Sequence, residues 1–583
     1  MAAVSAPTDS ILAVDFGSVN TRVALLDVVD GEFRFVAGGA APTTVEPPFS
    51  DVGEGLRHAL DSLQSISGRP YLDEEERLIL PSRPDGAGVD AFAATASAGQ
   101  PLRTVIVGLM PDVSVESARR AAASSYLAIV DTFSLSDSRR DEEQVDMLLR
   151  LRPDLVIITG GTDGGARAAV LRLADTVAMA LSLMSRDERP RVLFAGNVRL
   201  RERVQRLFED VATVQVAGNV RPALQTEAIL SAERNLAQLY DSIRATRIAG
   251  YGELADWSGG NVMPTARAFG NLVRFTSHIF DPAKGVLGVD VGSAATTVAA
   301  AFGGDLALTV RPDVGVGHSA GNLLRYTSAE RIARWLPTEI PLDEITDFVN
   351  NKSLAPGSIP QELDELYLEH AMAREALAIT VASSRANWPA RIRASRSSLL
   401  PAFDPILGSG AVLAHAPKPA QAALTLLDGL QPTGITTLLI DQHNLAPSLG
   451  AAAAFNAVAS VQVFQSGAFA NLGATVCPVG KARPGQHVLR VRMKYSNGER
   501  LEVEVRYGTI EVLPLPLGQE AQVSLQPLKG FDIGYGRGQG RRVLLTGGTI
   551  GLIVDARGRP VAMERDPAQR REQLQRWLAE LGA

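Results

Sequence analysis

The chain has 583 residues, a formal charge of −7 and 46% hydrophobic residues. That length exceeds what one core accommodates, so three or four domains are expected; the mildly acidic balance leaves no electrostatic footprint for nucleic acid or an anionic membrane surface. A single cysteine, Cys477, excludes an intramolecular disulfide and a cysteine-rich metal or iron–sulfur site within one chain. With no signal-like start and no apolar run of the roughly 18–20 residues that span a bilayer, the expectation is a soluble cytoplasmic protein.

The chain opens on an apolar run, a turn and a second apolar run, Ile11-Leu-Ala-Val-Asp15-Phe-Gly17-Ser18-Val-Asn20-Thr21-Arg22, the pattern of a β-hairpin. A third strand is expected at Glu32 to Val36. The stretch from Pro42 to Gln100 is rich in Pro, Gly and Asp and is read as irregular apart from a helix near Val52 to Ser65.

From Leu102 the texture becomes a regular alternation. Strand-like runs at Thr104 to Leu109, Leu127 to Val130, Leu155 to Thr159, Val192 to Ala195 and Thr213 to Val216 are separated by helical patterns, which predicts a parallel, doubly wound sheet. The turns Gly160-Gly161-Thr162-Asp163-Gly164-Gly165 and Ala195-Gly196-Asn197 fall at carboxyl ends of strands, where such sheets bind ligands. Asp163 reads either as a ligand-binding residue or as the cap of the helix beginning near Ala166, the cap being favoured.

Helices are expected from Pro222 towards Ile243 and at Pro264 to Ile279. A second hairpin follows, Val286-Leu-Gly-Val-Asp290-Val-Gly292-Ser293-Ala-Ala-Thr296-Thr297, about 275 residues after the first. It repeats the Asp, Gly, Ser and Thr of the first copy at the same offsets. Glycine admits a close ligand, the hydroxyls of Ser18, Thr21, Ser293 and Thr296 and the turn N–H groups suit phosphate oxygens, and Asp15 and Asp290 suit a Mg²⁺ held through water. Asn20 completes the first turn. Two such turns imply two lobes gripping one nucleotide.

Further on, Ile406-Leu-Gly408-Ser409-Gly410 is a strand running into a tight turn, read as the side of an adenosine pocket, and a helix is expected at Gly450 to Phe455. Two alternating strands, Val488 to Tyr495 and Leu501 to Tyr507, flank an Asn-Gly turn, which signals a hairpin and a small β-rich region closed by a helix at Arg570 to Leu581. Seven scattered histidines show no metal-ligand spacing.

The paired hairpins with the Gly408–Gly410 turn resemble the actin, sugar-kinase and heat-shock-chaperone ATPase superfamily. The resemblance implies two ribonuclease-H-like lobes, ATP with Mg²⁺ as cofactors, Asp15 and Asp290 as metal and water-positioning carboxylates, and Gly408, Ser409 and Gly410 at adenosine. Within it, Thr95-Ala-Ser-Ala-Gly-Gln, Val107-Gly-Leu-Met-Pro-Asp112, Pro153 to Gly165, Ala195-Gly-Asn-Val and Glu369-His-Ala-Met-Ala-Arg374 resemble the glutamate mutase L family, ATPases linked to adenosylcobalamin-dependent mutases. The iron–sulfur dehydratase activators share this fold, but a lone Cys477 sets them aside.

The expected architecture is therefore α/β: a first ATPase lobe at 1–101, a doubly wound block at 102–221, connecting helices at 222–284, a second lobe at 285–480 and a β-rich region at 485–583. The expected function is a slow Mg-ATP hydrolase that reactivates a mutase partner. The alternatives are a self-associating, actin-like assembly protein and a small-molecule kinase.

Overall fold

The computed structural model describes residues 8–259, 262–281, 283–389, 392 and 399–583. Its chain forms two compact units, one of residues 1–43, 54–96 and 256–583 and the other of residues 44–53 and 97–255.

The first unit begins with β1 (Ser10–Phe16), β2 (Asn20–Val29) and β3 (Glu32–Pro42), an antiparallel meander. β1 is buried along its whole length, as its apolar run requires at the centre of a sheet. After α1 (Val52–Ser67), β4 (Ala91–Ala96) runs parallel to β1. This strand lies in the segment read from sequence as irregular. Its Ala-Phe-Ala-Ala-Thr-Ala sequence is buried nearly throughout, so neither bulky β-formers nor alternation advertise it.

The second unit carries β5 (Leu102–Val107), α2 (Glu116–Ala122), β6 (Leu127–Phe133), α3 (Asp141–Leu151), β7 (Leu155–Ile158), α4 (Ala168–Ser182), β8 (Arg191–Phe194), α5 (Arg201–Phe208) and β9 (Val214–Val216). The strands form an all-parallel sheet in the order β6-β5-β7-β8-β9. The alternation read from sequence thus gives the doubly wound sheet it implied. The helix expected from Pro222 starts later, as α6 (Leu230–Arg247).

The chain then returns to the first unit through β10 (Val262–Pro264), which pairs with β4, and α7 (Thr265–Ile279). The meander β11 (Val286–Val291), β12 (Thr296–Phe302), β13 (Asp305–Arg311) opens a second sheet. α8 (Leu342–Leu354) and α9 (Leu363–Ser384) follow, α9 buried on nearly every face from Leu368 to Leu377, with His370, Arg374 and Glu375 buried among its alanines and leucines. β14 (Ile406–Ser409), α10 (Pro419–Leu430), β15 (Gly434–Ile440), α11 (Ala446–Ala452), α12 (Ala457–Gln465) and β16 (Ala470–Cys477) complete the lobe.

The orders β3-β2-β1-β4-β10 and β13-β12-β11-β14-β15 are the same arrangement twice, two ribonuclease-H-like lobes. The helices following their last strands, α7 and α11, cross closely: a Cβ on Gly450 would lie 1.8 Å from the Ala268 carbonyl oxygen.

The C-terminal region contributes to both layers around the second lobe. β17 (His487–Tyr495), β18 (Arg500–Arg506), β20 (Glu520–Pro527) and β21 (Arg541–Thr546) form an antiparallel sheet in the order β18-β17-β20-β21. β19 (Ile510–Leu513) and β22 (Leu552–Asp555) instead extend the second lobe's sheet past β16. Alternating side chains of the small sheet, among them Val491 and Val523, pack onto Ile435, Val476 and Val554 of the large one. The last helix, α13 (Pro567–Leu581), places Leu574, Trp577 and Leu581 in the second lobe's core.

Buried charges fasten this junction. Arg557, fully buried, reaches Asp428 of α10 at 2.7 Å and Asp555 at 2.8 Å; Arg559 also reaches Asp555, and Arg374 of α9 reaches Asp428 at 2.8 Å. Two guanidinium groups beside Asp555 overcome its burial and hold its carboxyl well below the usual range.

Candidate functional site

Hairpin register decides which side chains face the site. In β1–β2, Asp15 pairs with Arg22 and Phe16 with Thr21, so Asp15 and Arg22 share one face and Thr21 lies on the other. In β11–β12, Asp290 pairs with Thr297 and Val291 with Thr296, so Thr297 rather than Thr296 shares the face of Asp290.

The hydroxyl of Thr21 is engaged by Thr43 at 3.1 Å, and Thr43 donates to the Gly17 carbonyl, which ties the turn to the end of β3. Thr296 is fully buried and its hydroxyl is without a partner. Both threonines named from sequence as phosphate donors therefore sit behind the hairpins.

On the front face Asp15 is held by two hydroxyls, Thr95 of β4 donating to Oδ1 at 2.7 Å and Thr265 of α7 donating to the same oxygen at 2.8 Å. Burial pushes its carboxyl above the usual range, against these hydrogen bonds and the Arg22 charge. Asp290 is pushed up to about 7, by burial first and then by the negative charges of Asp15 and Asp441, with Arg22 opposing.

Asp441, at the end of β15, is the third carboxylate. It accepts the backbone N–H groups of Leu445 and Ala446, each at 2.7 Å, which ties it to the N-terminal end of α11, and Ser409 donates to it at 3.1 Å. Burial nonetheless raises it to about 6. Neither Asp441 nor Arg22 was singled out from sequence. The signal for Arg22 was the register itself, since closing the hairpin on Gly17-Ser18-Val19-Asn20 puts it opposite Asp15; for Asp441 it was a carboxylate directly after an apolar strand.

The turns hold the remaining predicted residues. Gly17 donates its N–H to Asn20, and Ser18 and Asn20 are partly exposed in the same turn. Gly292 and Ser293 form the second turn, which the segment 315–319 embraces: Val316 donates to the Gly292 carbonyl, and Gly317 and Ser319 donate to that of Ser293. The Ser293 hydroxyl accepts the His318 N–H at 2.9 Å and lies 3.1 Å from the ring nitrogen Nδ1.

Gly408, Ser409 and Gly410 are all buried. A Cβ on Gly408 would meet Ile440, Leu413 and Leu426, and one on Gly410, whose φ is +98°, would lie 2.2 Å from the Val291 carbonyl oxygen. These glycines let β14 and its turn pack against the neighbouring strand and helices. The exposed residue of the turn is Ala411.

Asp163 does not cap α4. Its Oδ1 accepts from Val198 N–H at 3.2 Å and Asn219 Nδ2 at 2.8 Å, joining three loops at the carboxyl end of the doubly wound sheet.

Three carboxylates, Asp15 and Asp441 buried and Asp290 partly exposed, facing one arginine are an excess of negative charge that suits a divalent cation. Among the described residues no three His, Cys, Asp or Glu side chains converge closely enough to ligate an ion directly. No helix among them is long and apolar enough to cross a membrane.

Two lobes of one strand order, each presenting the aspartate of its first hairpin and joined by crossing helices, define an actin-like ATPase fold. The chain belongs to the MutL protein family, whose model matches residues 11–467. It is 22% identical over 439 residues to Protein MutL of Clostridium tetanomorphum, covering 71% of this chain and 88% of that one.

Solved structures similar to it include nucleotide-free acetone carboxylase, at 12% identity over 85% of this chain and 81% of the other with a TM-score of 0.33. Xylulose kinase from Bifidobacterium adolescentis aligns at 12% identity over 76% and 92% with a TM-score of 0.26. Component A of (R)-2-hydroxyglutaryl-CoA dehydratase from Acidaminococcus fermentans aligns at 8% identity over 76% and 96% with a TM-score of 0.25.

Proposed function

We propose that the chain binds Mg-ATP between the two hairpins and hydrolyses it slowly, using lobe movement to remodel a partner protein. The observation that carries this reading is the set of Asp15 and Asp441, both buried, and Asp290, partly exposed, gathered around Arg22 at the hairpin faces. A bound Mg²⁺ supplies charge neutralisation at the phosphates and orients its waters.

Asp15 and Asp290 are the residues that would hold that water shell. The charge of Arg22 opposes the upward shift of all three aspartates, and its fork suits phosphate oxygens. Turn N–H groups and the Ser18 and Ser293 hydroxyls add donors. A carboxylate fixed by two hydroxyls, as Asp15 is, keeps one orientation and can hold an attacking water in line.

The resemblance to the glutamate mutase L family makes an adenosylcobalamin-dependent mutase the proposed partner. Calorimetric titration with ATP and Mg²⁺ tests the nucleotide half: binding should be lost in Asp15→Ala and Asp290→Ala. Unchanged affinity in both variants overturns it. A purified mutase whose activity is not restored by this chain with ATP overturns the partner assignment.

A further inference from the structure

The segment between α8 and α9 is tightly built, yet it puts its largest apolar side chains into solvent. Leu354 is 85% exposed, Ile359 74% and Leu363 55%, all within ten residues, with Leu342 at the other end of α8 43% exposed. Single exposed apolar residues are ordinary, but several on one short loop mark a contact surface.

The loop is held in place. Lys352, buried, pairs with Glu369 at 2.6 Å and donates to the Ser358 carbonyl at 2.5 Å, while Ser358 N–H closes a turn on Ala355. The exposed leucines and isoleucine are therefore displayed by a fixed scaffold.

Apart from Arg571, which pairs with Glu339 at 2.8 Å, the exposed charge that this segment itself contributes has one sign. Asp343, Glu344 and Asp347 are exposed on α8, and Glu362 and Asp364 on the approach to α9. Lys352 is the sole basic residue from 339 to 365, and its charge is consumed by Glu369. Exposed apolar side chains flanked by carboxylates that form no ion pair among the described residues, Asp364 accepting the Thr338 hydroxyl, are complementary to a segment that alternates apolar side chains with Lys or Arg.

The same loop lies beside the first hairpin of the candidate cleft and beside the segment 315–319 that embraces the second. A Cβ on Gly357 would lie 3.4 Å from Val19 Cγ1 in the first turn. A Cβ on Gly317, whose N–H donates to the Ser293 carbonyl of the second turn, would lie 3.2 Å from the Pro356 carbonyl oxygen. Ser353 accepts the Gly321 N–H at 2.6 Å. The backbone between Leu354 and Ile359 is thus placed to feel a shift of the first turn through Val19 and of the second through Gly317.

We infer that Leu342, Leu354, Ile359 and Leu363, with the carboxylates around them, form the docking surface for a basic, amphipathic segment of a partner protein, and that this surface reports the state of the two hairpins. The second half rests on the nucleotide reading above; the first does not.

The test uses the full chain and a fluorescein-labelled amphipathic helix of leucine and lysine, with a leucine–glutamate helix of the same pattern as control. Anisotropy without nucleotide should show binding of the lysine peptide only. That binding should weaken at least about tenfold in Leu354→Ser/Ile359→Ser and in Asp343→Asn/Glu344→Gln/Asp347→Asn. Adding a non-hydrolysable ATP analogue or ADP should shift the affinity severalfold relative to one another.

Affinity within twofold of the parent in both variants, or equal binding of the glutamate peptide, overturns the surface. Dimers by sedimentation that disappear in Leu354→Ser/Ile359→Ser would assign the patch to a second copy and overturn the basic partner. A peptide affinity identical in both nucleotides, with nucleotide binding itself intact, overturns the coupling.

Discussion

Gly450 of α11 and Ala268 of α7 meet in a contact that admits no side chain, a Cβ at 450 falling 1.8 Å from a backbone oxygen. Both helices also anchor the site. α7 begins with Thr265, which holds Asp15, and the first N–H groups of α11 donate to Asp441. Gly450→Ala must push the helices apart at a cost of about 1–3 kcal/mol. The expected outcome is a lower thermal midpoint together with weaker ATP binding; a midpoint equal to the parent would show that the crossing relaxes freely.

Arg22 faces three carboxylates and the first turn, so its removal has two readable effects. Arg22→Met should weaken ATP binding by about tenfold or more, the scale of one charge-assisted contact to phosphate. Arg22→Lys should recover only part of it, because an ammonium cannot reproduce the bidentate fork. Titration calorimetry of the three proteins separates these expectations.

Acidity should act on the ligand-free protein in a defined direction. Asp290 titrates at about 7 and Asp441 at about 6 in the folded chain, against 3.8 for an ordinary aspartate. Between about pH 4 and 7 the folded state therefore keeps protons that the unfolded chain has released, and stability from these groups is present below that window and lost as pH rises through it. In Mg²⁺-free buffer the difference in thermal midpoint between the parent and Asp290→Asn should move against the parent from pH 5 to pH 8. A constant difference would contradict the shift.

The junction of the C-terminal region with the second lobe depends on Arg557. Arg557→Met leaves Asp428 and Asp555 buried with fewer partners, and breaking such a pair costs about 3–5 kcal/mol. Denaturant unfolding should register that loss. Limited proteolysis should also open the segment from β22 to α13, since Trp577 packs beneath the same guanidinium, 4.8 Å from its ring.

Much of the architecture was legible from periodicity. The helix at Asp141–Leu151 and the five strands of the parallel sheet were readable because buried parallel strands give unbroken apolar runs between amphipathic helices. β4 was not, since alanine carries no strand signal, and with it went Thr95, one of the two hydroxyls on Asp15. The matched turns drew attention to Ser and Thr, whereas register places Arg22 and Thr297 on the carboxylate face. Asp441 resembles an ordinary polar residue before a helix; only the strand order β11-β14-β15 within the second lobe shows that it lies near Asp290.

The insertion of residues 97–255 between two strands of one sheet has a consequence for synthesis. β4 is complete at residue 96, but its neighbour β10 begins at residue 262. At about 5–20 residues per second, the ribosome makes β10 roughly 8–33 seconds later. The doubly wound sheet, whose strands all lie in that interval, can finish folding while the first lobe still waits for its edge. The nascent chain therefore carries an open, apolar β4 for seconds, and that interval is where a chaperone would be needed.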